Sequence, residues 1–117
     1  MKVKANKFVE KPWGSELWIA LTDKYCLKKI CLNKGERTSL QYHLKKDEHS
    51  YILSGKLSIE EQTPDGNIIT TIYGAGEIIH NPPLYQHRVS ALEDSVFIEV
   101  STPEVDDVIR VADDYNR

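Results

Sequence analysis

The chain has 117 residues, 40% hydrophobic and 28% charged, which suits one globular domain with a single core. Its 15 basic and 18 acidic residues leave a formal charge of −3, which excludes the basic footprint of a nucleic-acid or anionic-membrane binder. No apolar run reaches the roughly 20 residues of a membrane helix, and MKVKANKFVEKPWG lacks the apolar stretch of a signal peptide, so the cytoplasm is the expected setting.

Strand signals recur along the chain at short spacing. SELWIAL (15–21), YCLKKICL (25–32), TSLQYHL (38–44), SYILSGKLSIEEQ (50–62), NIITTIYG (67–74), GEIIHNP (76–82), QHRVSAL (86–92) and SVFIEVS (95–101) are rich in β-branched and aromatic residues. NKGE, PDGN, GAGE and NPP punctuate them, and Asp65-Gly66 is a strong hairpin cue. Eight short strands with little 3.6-residue periodicity imply an all-β sandwich or barrel. Only PEVDDVIRVADDYNR (103–117) places apolar residues at helical spacing, at Val105, Val108, Ile109 and Ala112, so a short C-terminal helix is expected.

Within YCLKKICL, Cys26 and Cys31 have opposite strand parity, which argues against an intrachain disulfide. Lys28 shares parity with Cys26, Ile30 and Leu32; if those face inward so does Lys28, and its charge then needs an anionic partner. Trp13 and Trp18 are expected to close the barrel or to pack against a dimer partner.

The chemistry centres on GERTSLQYHLKKDEHSYILSG (35–55). Gln41 and His43 lie two apart on one strand and face one way, Glu48 opens the next strand after the LKKD turn, and His87 follows the rigid Asn-Pro-Pro corner. Two imidazoles, a carboxylate and an amide oxygen can converge on one divalent cation; that donor mix suits zinc first, with manganese, iron, cobalt or nickel as alternatives, rather than calcium or magnesium. The plain alternative is a polar strand face turned to solvent, or a barrel that has lost its metal. His49 and His80 read as residues flanking the site or as surface residues.

At this point the chain resembles the cupins. The family's first motif is matched at Gly35, Gln41, His43, Glu48 and Gly55, with Gln41 in place of the first His, and its second at Gly76, Pro82 and His87, with Leu84 and Ala91 departing from it. KPWGSELW (11–18), SLQYH (39–43) and EVSTPEVDDVIRVADDYNR (99–117) resemble the cupin domain of type II phosphomannose isomerases, in which Gln is an accepted first ligand. The resemblance covers Lys11 to Arg117 and implies a small antiparallel double-stranded β-helix, a single cupin domain over 1–117 without the nucleotidyltransferase domain that often precedes it.

The same resemblance implies a metal-dependent isomerase interconverting mannose 6-phosphate and fructose 6-phosphate. A base must carry a proton between C1 and C2, and Lys28, His49 and Glu99 are candidates. Lys28, Arg110 and Arg117 are candidates for holding the phosphate; Arg88, beside a candidate ligand but of opposite parity to His87, joins them as a substrate-binding candidate. A small barrel leaves an apolar sheet face, so a homodimer is expected. The competing readings are a non-catalytic sugar- or sugar-nucleotide-binding cupin and a metal-dependent oxygenase, against which Gln41 counts.

Overall fold

The computed structural model describes all 117 residues, as eleven strands and no helix. The strands are β1 (Lys7–Lys11), β2 (Gly14–Leu21), β3 (Cys26–Leu32), β4 (Leu40–His43), β5 (Glu48–Ser54), β6 (Lys56–Gln62), β7 (Ile68–Gly74), β8 (Ile78–Asn81), β9 (His87–Ala91), β10 (Ser95–Ser101) and β11 (Val108–Ala112). They form a six-stranded sheet in the order β1-β2-β3-β10-β5-β8 and a five-stranded sheet in the order β11-β4-β9-β6-β7, with antiparallel pairing throughout. The all-β architecture expected from strand spacing is present, as two antiparallel sheets.

Alternation along the strands builds the interior. In β3 the residues of Cys26 parity are buried while Lys29 is exposed, and β10 buries Ser95, Phe97, Glu99 and Ser101 in the same way. Leu32, Ile52, Leu57, Ile59, Ile79, Val89 and Phe97 form the apolar core between the sheets, and Trp13 is part of it. Trp18 is also buried within its own chain. Both indoles therefore close the barrel, and neither offers a surface to a partner. Cys26 and Cys31 are free, as their parity implied.

SYILSGKLSIEEQ is not one strand. Gly55 breaks it at φ +93°, sending β5 into the six-stranded sheet and β6 into the other. A Cβ there would lie 2.2 Å from Ser95 Oγ and 2.6 Å from the Asp94 carbonyl, so only Gly fits. The Asp65-Gly66 turn joins β6 and β7 as a hairpin.

The expected C-terminal helix is a strand. β4 meets β9 at a single register pair, Gln41 with His87, and its other edge is open to β11. β11 fills that edge, pairing Val108 with His43 and Arg110 with Gln41. Val108, Ile109 and Val111 are β-branched and stiff at χ1, which favours a paired strand over one short helical turn. No helix is long and apolar enough to cross a membrane.

Candidate metal centre and ligand pocket

β4, β5 and β9 bring the sequence constellation together. His43 closes β4, Glu48 opens β5 and His87 opens β9; all three are buried, and their ligand atoms lie within 4.8 Å of one another. His43 Nε2 is 3.5 Å and His87 Nε2 3.3 Å from the same oxygen, Glu48 Oε1. The other ring nitrogens are engaged: His43 Nδ1 donates to Asp107 Oδ1 at 3.1 Å and His87 Nδ1 to the Tyr85 carbonyl at 3.2 Å. With those nitrogens engaged, the rings turn both Nε2 atoms toward the same carboxylate oxygen. Three electron-pair donors facing one another are favourable around a cation, so the donor set fits a divalent metal of the zinc or manganese kind. Gln41 lines the same cavity, and its Oε1 accepts from Ser39 Oγ at 3.1 Å, leaving a second lone pair.

Beneath this trio lies a buried charge network. Lys46 Nζ donates to Glu99 Oε1 at 2.8 Å and lies 3.4 Å from Glu48 Oε2. Burial, and then the negative charge of Glu48, push the Glu99 carboxyl up to about 8 against the pull of Lys46. Burial would also raise Glu48, but hydrogen bonds from Glu99, His43 and His87 and the charge of Lys46 outweigh it and hold Glu48 well below the usual carboxylate range. Burial would lower Lys46, yet the two carboxylates keep it above its ordinary value.

The cavity around these groups has a volume of about 460 Å³, a size common for small-ligand sites. Lys28 lines it, buried, with Nζ 3.5 Å from Glu16 Oε1 and 4.1 Å from the centre of the Trp18 ring. Glu16, which also accepts from Trp18 Nε1 at 2.9 Å, is thus the anionic partner that an inward Lys28 required. Glu99, Arg110 and Arg117 line the cavity as well.

Two candidates lie elsewhere. His49 is exposed, because strand alternation turns it away from Glu48; its ring stacks on His80 at 4.1 Å, and His80 Nε2 is 2.8 Å from Asp47 Oδ1. His49 is therefore not placed to move a substrate proton. Arg88 is buried outside the cavity, donating to the carbonyls of Thr38 and Ala112 at 3.0 Å each, so it ties β9 to the segment before β4 and to the end of β11 and does not face a ligand. Sequence reasoning in turn passed over Lys46, Asp107 and Glu16. Glu16 had a usable signal, its shared parity with Trp18; Lys46 and Asp107 sit in turns, where no alternation marks direction.

The model for the family described as "Mannose-6-phosphate isomerase C-terminal" matches residues 1–113. Mannose-1-phosphate guanylyltransferase of Escherichia coli (strain K12) is 32% identical over 122 residues, covering 97% of this chain and 24% of that protein, so the chain spans about a quarter of that curated relative. Among solved structures, Bacillus subtilis oxalate decarboxylase, studied for its Mn(II) centres, aligns with a TM-score of 0.75 at 21% identity, covering 88% of this chain and 29% of that one. An RmlC-like cupin from Shewanella frigidimarina NCIMB 400 aligns at 0.67 and 18% identity, covering 80% and 78%. At these identities the structural likenesses establish the cupin fold.

Proposed function

We propose, from the premise that this chain belongs to the mannose-6-phosphate isomerase C-terminal family, that it is a metal-dependent aldose–ketose isomerase of phosphorylated sugars, with mannose 6-phosphate as its substrate. The observation that carries this reading is the convergence of His43 Nε2, His87 Nε2 and Glu48 Oε1 in a cavity that Glu99, a buried carboxyl raised to about 8, also lines. Gln41, His43, Glu48 and His87 would hold the ion, zinc first. When bound, it supplies Lewis-acid polarisation of the sugar's carbonyl and neighbouring hydroxyl oxygens.

The chain's own residues supply the rest. Glu99 is the favoured base for moving a proton between C1 and C2, because a carboxyl raised to about 8 exchanges protons at working pH. Lys28 is the weaker candidate, its ammonium being held by Glu16 and the Trp18 face. Arg110 and Arg117, which line the same cavity with Lys28, meet the phosphate. A second reading, a non-catalytic sugar- or sugar-nucleotide-binding domain, is supported by the name of the curated relative, of which this chain matches 24%.

Metal content and proton exchange decide between them. The purified protein should carry close to one divalent ion per chain; His43→Ala and His87→Ala should each abolish it, and Gln41→His should retain it. Exchange of the C1 and C2 protons of hexose phosphates in deuterated buffer should accompany the metal. Full occupancy in the His43→Ala, His87→Ala double variant would overturn the site. Full metal occupancy in the wild type without exchange would leave the binding-domain reading.

Self-association belongs to the same proposal. The outer face of the six-stranded sheet exposes Tyr51, Leu53, Ile78 and Val100, neighbours across β5, β8 and β10, and a second copy is the proposed cover. A cytoplasmic setting is proposed with it, in keeping with two free thiols.

A further inference from the structure

The pocket has two chemically different ends. Glu48, Glu99, Lys46 and the two imidazoles form its buried end. Its mouth is walled by β1 and β11, the outermost strands of the two sheets. On β1, Lys7, Val9 and Lys11 share parity and all line the cavity; on β11, Val108 and Arg110 do the same, and Arg117 follows.

Most of the cations at the mouth are already partnered. Lys28 lies 3.5 Å from Glu16 and Arg117 lies 3.1 Å from Asp113. Lys7 Nζ sits 4.0 Å above the Trp18 ring, on the same indole that Lys28 approaches. Lys11 and Arg110 have no carboxylate within ion-pair distance. Lys11 is also half-buried, and burial lowers its pKa; Glu16 pulls it back, while the charges of Arg117, Lys28 and Arg110 lower it further. A partly desolvated ammonium facing like charges is costly unless an anion completes the arrangement.

We propose that Lys11, with Arg110 across the mouth, is the residue pair that selects a terminal phosphate on the bound sugar. This rests on the phosphosugar reading of the pocket and adds to it a role for Lys11, the residue that opens KPWGSELW. A dianion between β1 and β11 relieves the repulsion that Lys11 feels and draws charge-assisted hydrogen bonds from both strands. A neutral sugar does neither, so the pair discriminates by charge and leaves the hydroxyl-bearing end to the buried groups.

The test uses calorimetry on the full chain with inorganic phosphate, mannose 6-phosphate and mannose as probes. The proteins are wild type, Lys11→Met, Lys11→Arg and Arg110→Met. Wild type should bind mannose 6-phosphate well above mannose. Lys11→Met and Arg110→Met should each weaken both phosphate probes by about 10- to 100-fold, leave mannose and metal content unchanged, and Lys11→Arg should restore most of the loss. Unchanged phosphate affinity in Lys11→Met, an equal loss for mannose, or a wild type blind to the phosphate would overturn the inference. Lys11-dependent phosphate binding without sugar proton exchange would uphold the anion site and sink the isomerase. Normal exchange with an unaltered KM in Lys11→Met would do the reverse.

Discussion

Lys46 is where removal of one atom group should be felt most. Its ammonium is buried between two carboxylates, 2.8 Å from Glu99 and 3.4 Å from Glu48, with side-chain exposures of 6%, 11% and 5%. Lys46→Met keeps the apolar stem and deletes the charge, so two buried carboxylates lose their common counter-ion. Breaking a buried ion pair this way costs about 3–5 kcal/mol, a large share of the roughly 5–15 kcal/mol available to a domain. The metal-free variant should lose that amount in chemical denaturation at pH 8. The sign with pH follows from Glu99, whose folded-state ionisation at about 8 lies above its ordinary 4.5. A carboxyl raised on folding favours the native state less as pH climbs from the ordinary value through the folded one, and deleting Lys46 widens that window upward. The penalty should therefore change little between pH 6 and pH 7 and grow as pH rises through about 8. Glu99→Gln in the Lys46→Met background should recover most of it, because only one buried carboxylate then remains beside the two imidazoles. The variant should also gain more from added metal than wild type does, since its buried end is more negative. A cost below about 1 kcal/mol at pH 8 would mean that the triad is solvated, and would refute the buried network.

Other outcomes follow from single contacts. Asp107→Ala frees His43 Nδ1 and uncaps the amides of Lys45 and Lys46, so metal affinity should fall by about 10- to 100-fold in a chelator competition; unchanged affinity would remove Asp107 from the site. Gly55→Ala combines a positive φ with a 2.2 Å approach to Ser95 Oγ, and should cost at least about 1–3 kcal/mol by denaturant unfolding; a neutral effect would mean that the β5–β6 break is misplaced. Sedimentation at micromolar concentration should show a dimer that Tyr51→Lys splits; a wild-type monomer would rule out the outer sheet face as the contact.

How much was legible varies with the kind of residue. Gln41, His43 and Glu48 could be placed because strand parity and a short turn fix direction, and His87 because the Asn-Pro-Pro corner delivers it to the same side. Parity also sends His49 away from Glu48, so its candidacy as a base conflicted with the rule that placed its neighbour. Lys46 and Asp107 were hidden for a different reason: turns have no period, and their side-chain directions come from the strands that clamp them. The C-terminal segment failed on length. Val105, Val108, Ile109 and Ala112 satisfy a helical template over barely two turns, and the unpaired edge of β4, invisible in the local sequence, decided for β11.

Lys7 and Lys11 admit a competing explanation that the fold itself raises. β1 is an outermost strand, and lysines on such strands blunt edge-to-edge pairing between chains. The two roles differ in what they demand of the side chain. Blunting an edge needs a charge of either sign, whereas anion selection needs a positive one directed into the pocket. The strand's layout favours the second, since Phe8 and Glu10 take the outward parity while Lys7, Val9 and Lys11 line the cavity. Lys11→Glu separates the two. It keeps a charge on the edge, so light scattering should show no new aggregation, but it adds a carboxylate to a cavity that Asp106 and Glu16 already line, at a mouth that should hold a dianion. Phosphate and mannose 6-phosphate binding should then fall below that of Lys11→Met, with mannose unaffected. Phosphate binding retained in Lys11→Glu, with aggregation appearing only in Lys11→Met, would assign Lys11 to edge protection and leave Arg110 and Arg117 to meet the anion.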